Sequence, residues 1–186
     1  MAGLLRRYKS PLYGNYRKYA LLYGVVTGMV LFAAIVAAWL VQLPYSEPEN
    51  LVVDLLMTLC IFACSYIYRQ NQAGGRIYLK ELLILGMGIG AVAGVVYGLM
   101  LLFYGSIIDF DFVSRCIEMR VAPIEKAIAD GGSAEEMVQL KNALEVTKTY
   151  TLGDWAFIGG FRTAVMSIII TFFSAIIFKT EKNIRR

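Results

Sequence analysis

Histidine is absent from this sequence, and cysteine and proline are scarce, with three and four residues among 186. Without histidine the chain has no imidazole to act as a general base near neutral pH. It also cannot carry the His-Glu-x-x-His motif that binds zinc in many hydrolases. We therefore expect a protein that is not an enzyme and that needs no cofactor and no metal.

The three cysteines do not form a recognisable redox or metal motif. Cys60 and Cys64 are four residues apart on one helix face, which is neither a Cys-x-x-Cys motif nor a spacing suited to a disulfide. We interpret both as small apolar side chains. Cys116 is alone in a polar segment, where it either stays reduced or pairs with another chain.

Charge is also scarce, at 17% of residues, whereas 58% are hydrophobic and the mean hydropathy is +0.60. The chain contains four apolar runs of 18 to 24 residues, at 20–43, 51–68, 82–104 and 155–178. A membrane-spanning helix needs roughly 17–25 such residues. One run could be a buried helix of a soluble protein, but four leave too little polar surface to cover a soluble core. The sequence predicts one all-α domain, residues 1–186, built as a four-transmembrane-helix bundle.

The first run follows a basic N-terminal tail and therefore resembles a signal peptide. Its apolar core is longer than the roughly 7–15 residues of a signal-peptide core, and it ends in "WLVQLPYSEPEN" without a small-residue cleavage site. We expect the first span to remain on the protein as a signal anchor.

Charges alternate along the segments between the spans. The N-terminal tail has five basic residues and no acidic one, whereas 105–154 has nine acidic and five basic residues. The positive-inside rule then places both termini and the 69–81 loop in the cytoplasm of a bacterial inner-membrane protein, and 105–154 in the periplasm. No basic cluster lies away from the membrane flanks, so we expect no nucleic-acid partner.

The 105–154 insertion is predicted to form a periplasmic helical hairpin between the third and fourth spans. Apolar residues recur at helical spacing in its first half: Val113, Ile117, Val121, Ile124 and Ile128. Asp111 and Gly131 are suitable start and stop residues, and Pro123 is expected to kink or divide this helix. Ser133 and Glu136 have the spacing of a capping box that begins a second helix.

Glycines recur at every fourth position of "LGMGIGAVAGVVYG" in the third span. Small residues let helices approach closely in lipid, where association brings little hydrophobic gain. The helix-packing residues that this pattern predicts are Gly24, Gly28, Gly86, Gly90, Gly94, Gly98 and Gly160. The ridge from 86 to 98 either packs inside the bundle or docks another chain. Gly88 lies on a different face, which we expect to meet lipid.

Two charged residues lie inside the predicted spans, Asp54 in the second and Arg162 in the fourth. Both spans start from the same side of the membrane, so the two side chains are a candidate intramembrane charge pair. A buried arginine is costly in lipid and should face the bundle or reach outward. The alternatives are a purely structural pair, an Arg162 bound to Asp109 or Asp154, and an anion, lipid-phosphate or proton-relay site.

The whole chain resembles a family of small membrane proteins of Bacteroidota, the domain-of-unknown-function family number 4199. The segments that carry the resemblance are "KYALLYGVVTG", "YRQNQAGGRIYLKELLILGMGIG" and "YGSIIDFDF". The resemblance implies four helices in a bacterial inner membrane and transfers no catalytic residue. It also suggests a partner, a membrane-associated glycosyltransferase of the polyprenyl-phosphate type.

The leading hypothesis is a non-catalytic inner-membrane protein that anchors or organises such a partner. The alternative is a small lipid or ion carrier that uses Asp54 and Arg162. Membrane lipids are expected partners in either case, and a homo-oligomer is a further possibility. Polarity inside the bundle separates the two functions, because a carrier needs a polar path and a scaffold needs only packing.

Overall fold

The computed structural model describes residues 12–40, 47–71, 77–131 and 133–178. These ranges contain six α-helices and one π-helix: α1 (Leu12–Leu40), α2 (Glu47–Asn71), α3 (Leu79–Phe103), the π-helix (Tyr104–Ile108), α4 (Phe112–Asp130), α5 (Ala134–Lys148) and α6 (Leu152–Phe178). No strand occurs within them, which confirms the all-α prediction. The predictions about most of the basic tails, the end of the first span and residues 72–76 of the 69–81 loop lie outside the described residues.

Four helices are long and apolar enough to cross a membrane, which confirms the predicted number of spans. Their apolar segments are Tyr16–Ala37, Val52–Asn71, Leu79–Ile108 and Leu152–Phe178. The third segment is longer than predicted at both ends. It begins earlier because the Glu81 carboxylate accepts a hydrogen bond from the Tyr78 backbone N–H at 3.2 Å. It ends later because the π-helix continues α3.

The four long helices form a ring in the order α1, α3, α6, α2. α1 and α3 run parallel, whereas α3 and α6 are antiparallel, as the residue pairs along each contact show. The Trp39 ring lies 5.0 Å from that of Phe112, so α1 ends where α4 begins. We call this end of the ring the hairpin end. At the opposite end the Phe62 and Phe178 rings of α2 and α6 are 5.6 Å apart.

Helices α4 and α5 pack against each other as a hairpin. Gly131 ends α4 in the left-handed region, with φ 79°, which favours glycine. The Ser133 N–H donates to the Glu136 carboxylate at 2.9 Å, and the Glu136 N–H donates to Ser133 Oγ at 3.3 Å. The predicted capping box is therefore present. The bonds that the Glu136 carboxylate accepts from the Ser133 N–H and from the Ser133 hydroxyl, the latter at 3.0 Å, lower the pKa of Glu136 below its usual value.

Helix α4 runs through Pro123 without a break, so of the two expected outcomes, a kink or a division, the division is wrong. Proline lacks a backbone N–H, which leaves only the Met119 carbonyl without its helix donor. Near the start of α4, Phe112 and Cys116 are buried at the hairpin end. The Cys116 side chain is only 1% exposed, which leaves a second chain no access to its thiol.

The glycines of α3 all lie close to other helices. A Cβ added at Gly86 or Gly90 would collide with Thr171 or Ser167 of α6. At Gly94 it would collide with the Gly160 carbonyl oxygen, and at Gly98 it would lie 2.9 Å from that of Ala156. The α3 ridge therefore meets α6 at backbone contact distance inside the bundle.

The second side of α3 packs just as closely against α1. A Cβ at Gly24 would lie 2.5 Å from Val92 Cβ, and one at Gly28 would lie 2.8 Å from the Ala93 carbonyl oxygen. The expectation that Gly88 meets lipid is wrong, because its Cβ would lie 2.9 Å from Ala20 Cβ of α1. α3 has helix neighbours on both sides, which the one-sided ridge in the sequence did not indicate.

Candidate functional site

A cavity of about 40 Å³ with both polar and apolar walls lies at the hairpin end of the bundle. Its walls come from α1, α2, α3, α4 and α6, so the hairpin and the membrane helices build it together. The lining residues are Ile35, Val53, Tyr97, Leu101, Arg120, Trp155, Ile158, Gly159, Arg162 and Thr163. We call it the hairpin-end cavity.

The structure brings the two predicted intramembrane charges together at this cavity. Arg162 Nη2 donates to Asp54 Oδ2 at 2.6 Å, and the two side chains are 35% and 25% exposed. The other two carboxylates that were considered as partners of Arg162 contact different groups. Asp109 forms an ion pair with Arg115, and Asp154 accepts a hydrogen bond from the Thr151 N–H at 2.8 Å.

Arg120 is a cavity residue that the sequence reasoning missed. Its guanidinium carbon lies 4.8 Å from the Trp155 ring centroid, within cation–π range. In the described part of the chain no carboxylate is paired with it. The sequence did contain a signal for this position. A helix turns about 100° per residue, so Arg120 lies only about 40° around α4 from Ile124, which belongs to the apolar face.

The Trp155 indole is buried beside the same cavity. The side chain is 4% exposed, and its Nε1 has no hydrogen-bond partner among the described residues. Buried indole N–H groups normally find a partner. The Thr163 hydroxyl is already committed, because it donates to the Gly159 carbonyl at 2.9 Å.

The charges at the cavity suit an anion better than a cation. Two guanidinium groups and one carboxylate leave a net charge of +1. Within the described ranges no three His, Cys, Asp or Glu side chains come together as a metal site requires. The arrangement can therefore bind an acidic group through charge-assisted hydrogen bonds, which are stronger than neutral ones.

A separate apolar groove of about 510 Å³ runs between α3 and α6 on the other side of α6. Gly94, Gly98 and Gly160 form part of its lining, and none of the lining side chains is polar. Phe157 and Phe161 stack with their ring centroids 5.8 Å apart and are 71% and 60% exposed. We call this feature the α3–α6 groove.

Buried hydroxyl groups recur along the bundle face of α6, at Thr163, Ser167, Thr171 and Ser174. Two of them bond to their own helix, since Ser167 donates to the Ala164 carbonyl at 2.6 Å as Thr163 does to that of Gly159. Ser167 and Thr171 also lie against the α3 glycines. These small polar residues therefore serve close helix packing.

The family with the description "Protein of unknown function (DUF4199)" matches residues 18–180. The chain belongs to this family. The match covers the hairpin and the four long helices of this DUF4199 chain except the first six residues of α1, in agreement with the resemblance seen in its motifs. No curated protein and no solved structure matches it.

Proposed function

We propose that this DUF4199 chain is a non-catalytic subunit of the bacterial inner membrane that holds a membrane-embedded partner. In this proposal both termini are cytoplasmic and the α4–α5 hairpin is periplasmic, as the charge distribution indicates. The observation that carries the proposal is the α3–α6 groove. Its occupant is a transmembrane helix of the partner.

The groove suits a helix because small residues lie between exposed large ones. The lining residues Ala91 and Gly153 are exposed and add little side-chain bulk, so a third helix can approach α3 and α6 closely. Val95 and Leu99 of α3 are 62% and 59% exposed and provide apolar contact surface. A partner helix with large aliphatic side chains would fill the groove and bury these groups.

The resemblance suggests the class of partner, a polyprenyl-phosphate glycosyltransferase associated with the membrane. Such an enzyme acts on a lipid-linked substrate and therefore works at the bilayer surface. A small bundle without reactive groups in its described core is suited to positioning it there. Catalysis in this proposal belongs entirely to the partner.

Ala91 offers a direct test, because it is exposed and lines the groove. A photo-crosslinking amino acid at position 91 is expected to capture one membrane protein in intact cells. The matched position is Ala63, which is exposed on α2. Crosslinking from 63 with equal yield, or crosslinking from 91 only to lipid or to a second copy of this chain, would contradict the proposal.

A groove-filling substitution tests whether the captured protein depends on this surface. Ala91→Trp should leave the purified protein folded but abolish co-purification of the partner, whereas Ala63→Trp should change neither. If the partner is a glycosyltransferase, its product formation in membranes lacking this chain should be restored by Ala63→Trp and not by Ala91→Trp.

A small lipid or ion carrier is the second candidate, and the Asp54–Arg162 contact is the observation that favours it. A carrier needs a polar path that continues from this contact toward the opposite end of the bundle. Proteoliposomes measure this directly, since a carrier moves labelled lipid or ions at a rate that Asp54→Asn reduces. The scaffold function predicts no such transport.

A further inference from the structure

We propose that the hairpin-end cavity binds a phosphate group of single negative charge, held by Arg162 and Arg120. This inference goes beyond the proposed docking function, because the cavity and the α3–α6 groove lie on different sides of α6. Either proposal can be wrong while the other is right.

The charge of the cavity matches such a ligand. Asp54 neutralises one of the two arginines, which leaves one positive charge without a partner among the described residues. A phosphodiester carries one negative charge and would neutralise it. A divalent anion would leave excess negative charge beside Asp54.

The donors also match phosphate oxygens. A guanidinium has several N–H groups in a planar fork, and Asp54 accepts from only one nitrogen of Arg162. The remaining donors are free to bind oxygens in the manner typical of arginine with phosphate. Arg120 adds a second fork from α4, and its position over the Trp155 ring keeps it at the cavity.

Trp155 contributes to the site through its ring, which lies under the Arg120 guanidinium at 4.8 Å. Its Nε1 is buried out of contact with the cavity space and is not a donor to the ligand. The cavity has a volume of about 40 Å³, which exceeds the minimum of about 10–15 Å³ that a buried water needs. The cavity therefore has room for phosphate oxygens beside the two guanidinium groups.

The site is reachable from the bilayer surface. Arg120 lies on the exposed hairpin, and Arg162 is ten residues into α6, or roughly 15 Å along the helix. Arg162 is 35% exposed, so the cavity is open to its surroundings. The phosphate could belong to a lipid headgroup or be free inorganic phosphate, since both offer the same oxygens.

The test uses the full chain in a maltoside detergent and measures its thermal stability against added ligand. Three probes separate the sources: phosphatidylglycerol, diacylglycerol with the same acyl chains, and sodium phosphate against sodium chloride at equal ionic strength and at about pH 6, where inorganic phosphate is mostly singly charged. A lipid site predicts stabilisation by phosphatidylglycerol alone, and a site for free phosphate predicts stabilisation by sodium phosphate. Stabilisation by neither, or equally by diacylglycerol, would overturn the proposal.

Matched variants then assign the binding to this cavity. Arg120→Gln should weaken binding of the active probe about tenfold, which is the usual loss for one hydrogen bond to a charged group. Trp155→Phe keeps an aromatic ring under Arg120 and should change binding less than Arg120→Gln does. Lys126→Gln removes the same charge from an exposed site on α4 and should change nothing. Equal weakening by Lys126→Gln would show non-specific attraction and reject the site.

Discussion

The roles of Arg162 and Asp54 depend on the residues around them. Each is a charged group in an apolar helix, and each alone would be costly in lipid. Together they form a contact of 2.6 Å, and Asp54 orients the guanidinium at the edge of the hairpin-end cavity. The same pair can therefore stabilise the bundle and present Arg162 to a ligand.

Removing one partner of this contact should be more damaging than removing both. Asp54→Leu or Arg162→Leu alone leaves an uncompensated charge and should cost about 1–3 kcal/mol, less than for a fully buried pair because both groups are partly exposed. The double variant should recover most of this loss. Thermal unfolding of the four proteins in detergent gives the coupling energy.

The pair of Lys148 and Glu125 provides the control for that cycle. Its atoms are 3.5 Å apart and its side chains are more than half exposed, so its coupling should stay below about 0.5 kcal/mol. A double Asp54–Arg162 variant as unstable as the sum of its single variants would show that the contact contributes nothing to stability.

At the scale of elements, the contact of α3 with α6 is set by the absence of side chains. Glycine weakens an isolated helix by about 1 kcal/mol relative to alanine, yet α3 has one at every fourth position of its ridge. Close helix packing compensates for this loss of helix stability, because Gly94 and Gly98 lie against backbone carbonyls of α6. Backbone atoms cannot move aside as flexible side chains can.

Gly94→Ala should therefore lower the melting temperature of the isolated protein. The added Cβ collides with the Gly160 carbonyl oxygen, and overpacking of this kind typically costs about 1–3 kcal/mol. Differential scanning fluorimetry in detergent measures the change.

Gly153→Ala is the matched control on α6, because its Cβ would meet only Thr151 Oγ1 at an ordinary 3.6 Å. There the better helix propensity of alanine should leave stability unchanged or raise it by up to about 1 kcal/mol. If Gly94→Ala were as stable as Gly153→Ala, close α3–α6 contact would not stabilise this bundle.

At the scale of the whole molecule, the ring order and the helix directions constrain the topology. α1 and α3 run parallel, so the chain must cross the bundle again through α2 between them. The hairpin leaves from the end of α3 and returns to α6 at the same end. The two ends of the bundle therefore differ, because the α4–α5 hairpin lies at only one of them.

Cysteine labelling in intact cells tests how this molecule is oriented. In a variant lacking Cys60, Cys64 and Cys116, an impermeant thiol reagent should label Gln139→Cys on the hairpin. It should not label Gln70→Cys at the end of α2 until the cells are opened. Both positions are exposed in the protein, so access depends on the membrane alone. Labelling of position 70 and not 139 in intact cells would reverse the proposed topology.

The sequence by itself determined the all-α class, the four spans and the capping box of α5, because these depend on local properties. Apolar runs of sufficient length predict spans wherever they occur, and Ser133 with Glu136 forms its cap within one helical turn. Asp54 and Arg162 were also visible, since a charge inside an apolar run is conspicuous.

Only the tertiary structure decided which surfaces meet, because those contacts join residues far apart in the chain. The helical periodicity of the sequence indicates on which side of α3 Gly88 lies, but it does not indicate that Ala20 of α1 packs against it. Arg120 belongs to a polar hairpin and reaches the cavity only because α4 folds back over Trp155. The buried Nε1 and the α3–α6 groove likewise exist only once α3 and α6 are packed, since burial and concave shape are properties of the assembled helices.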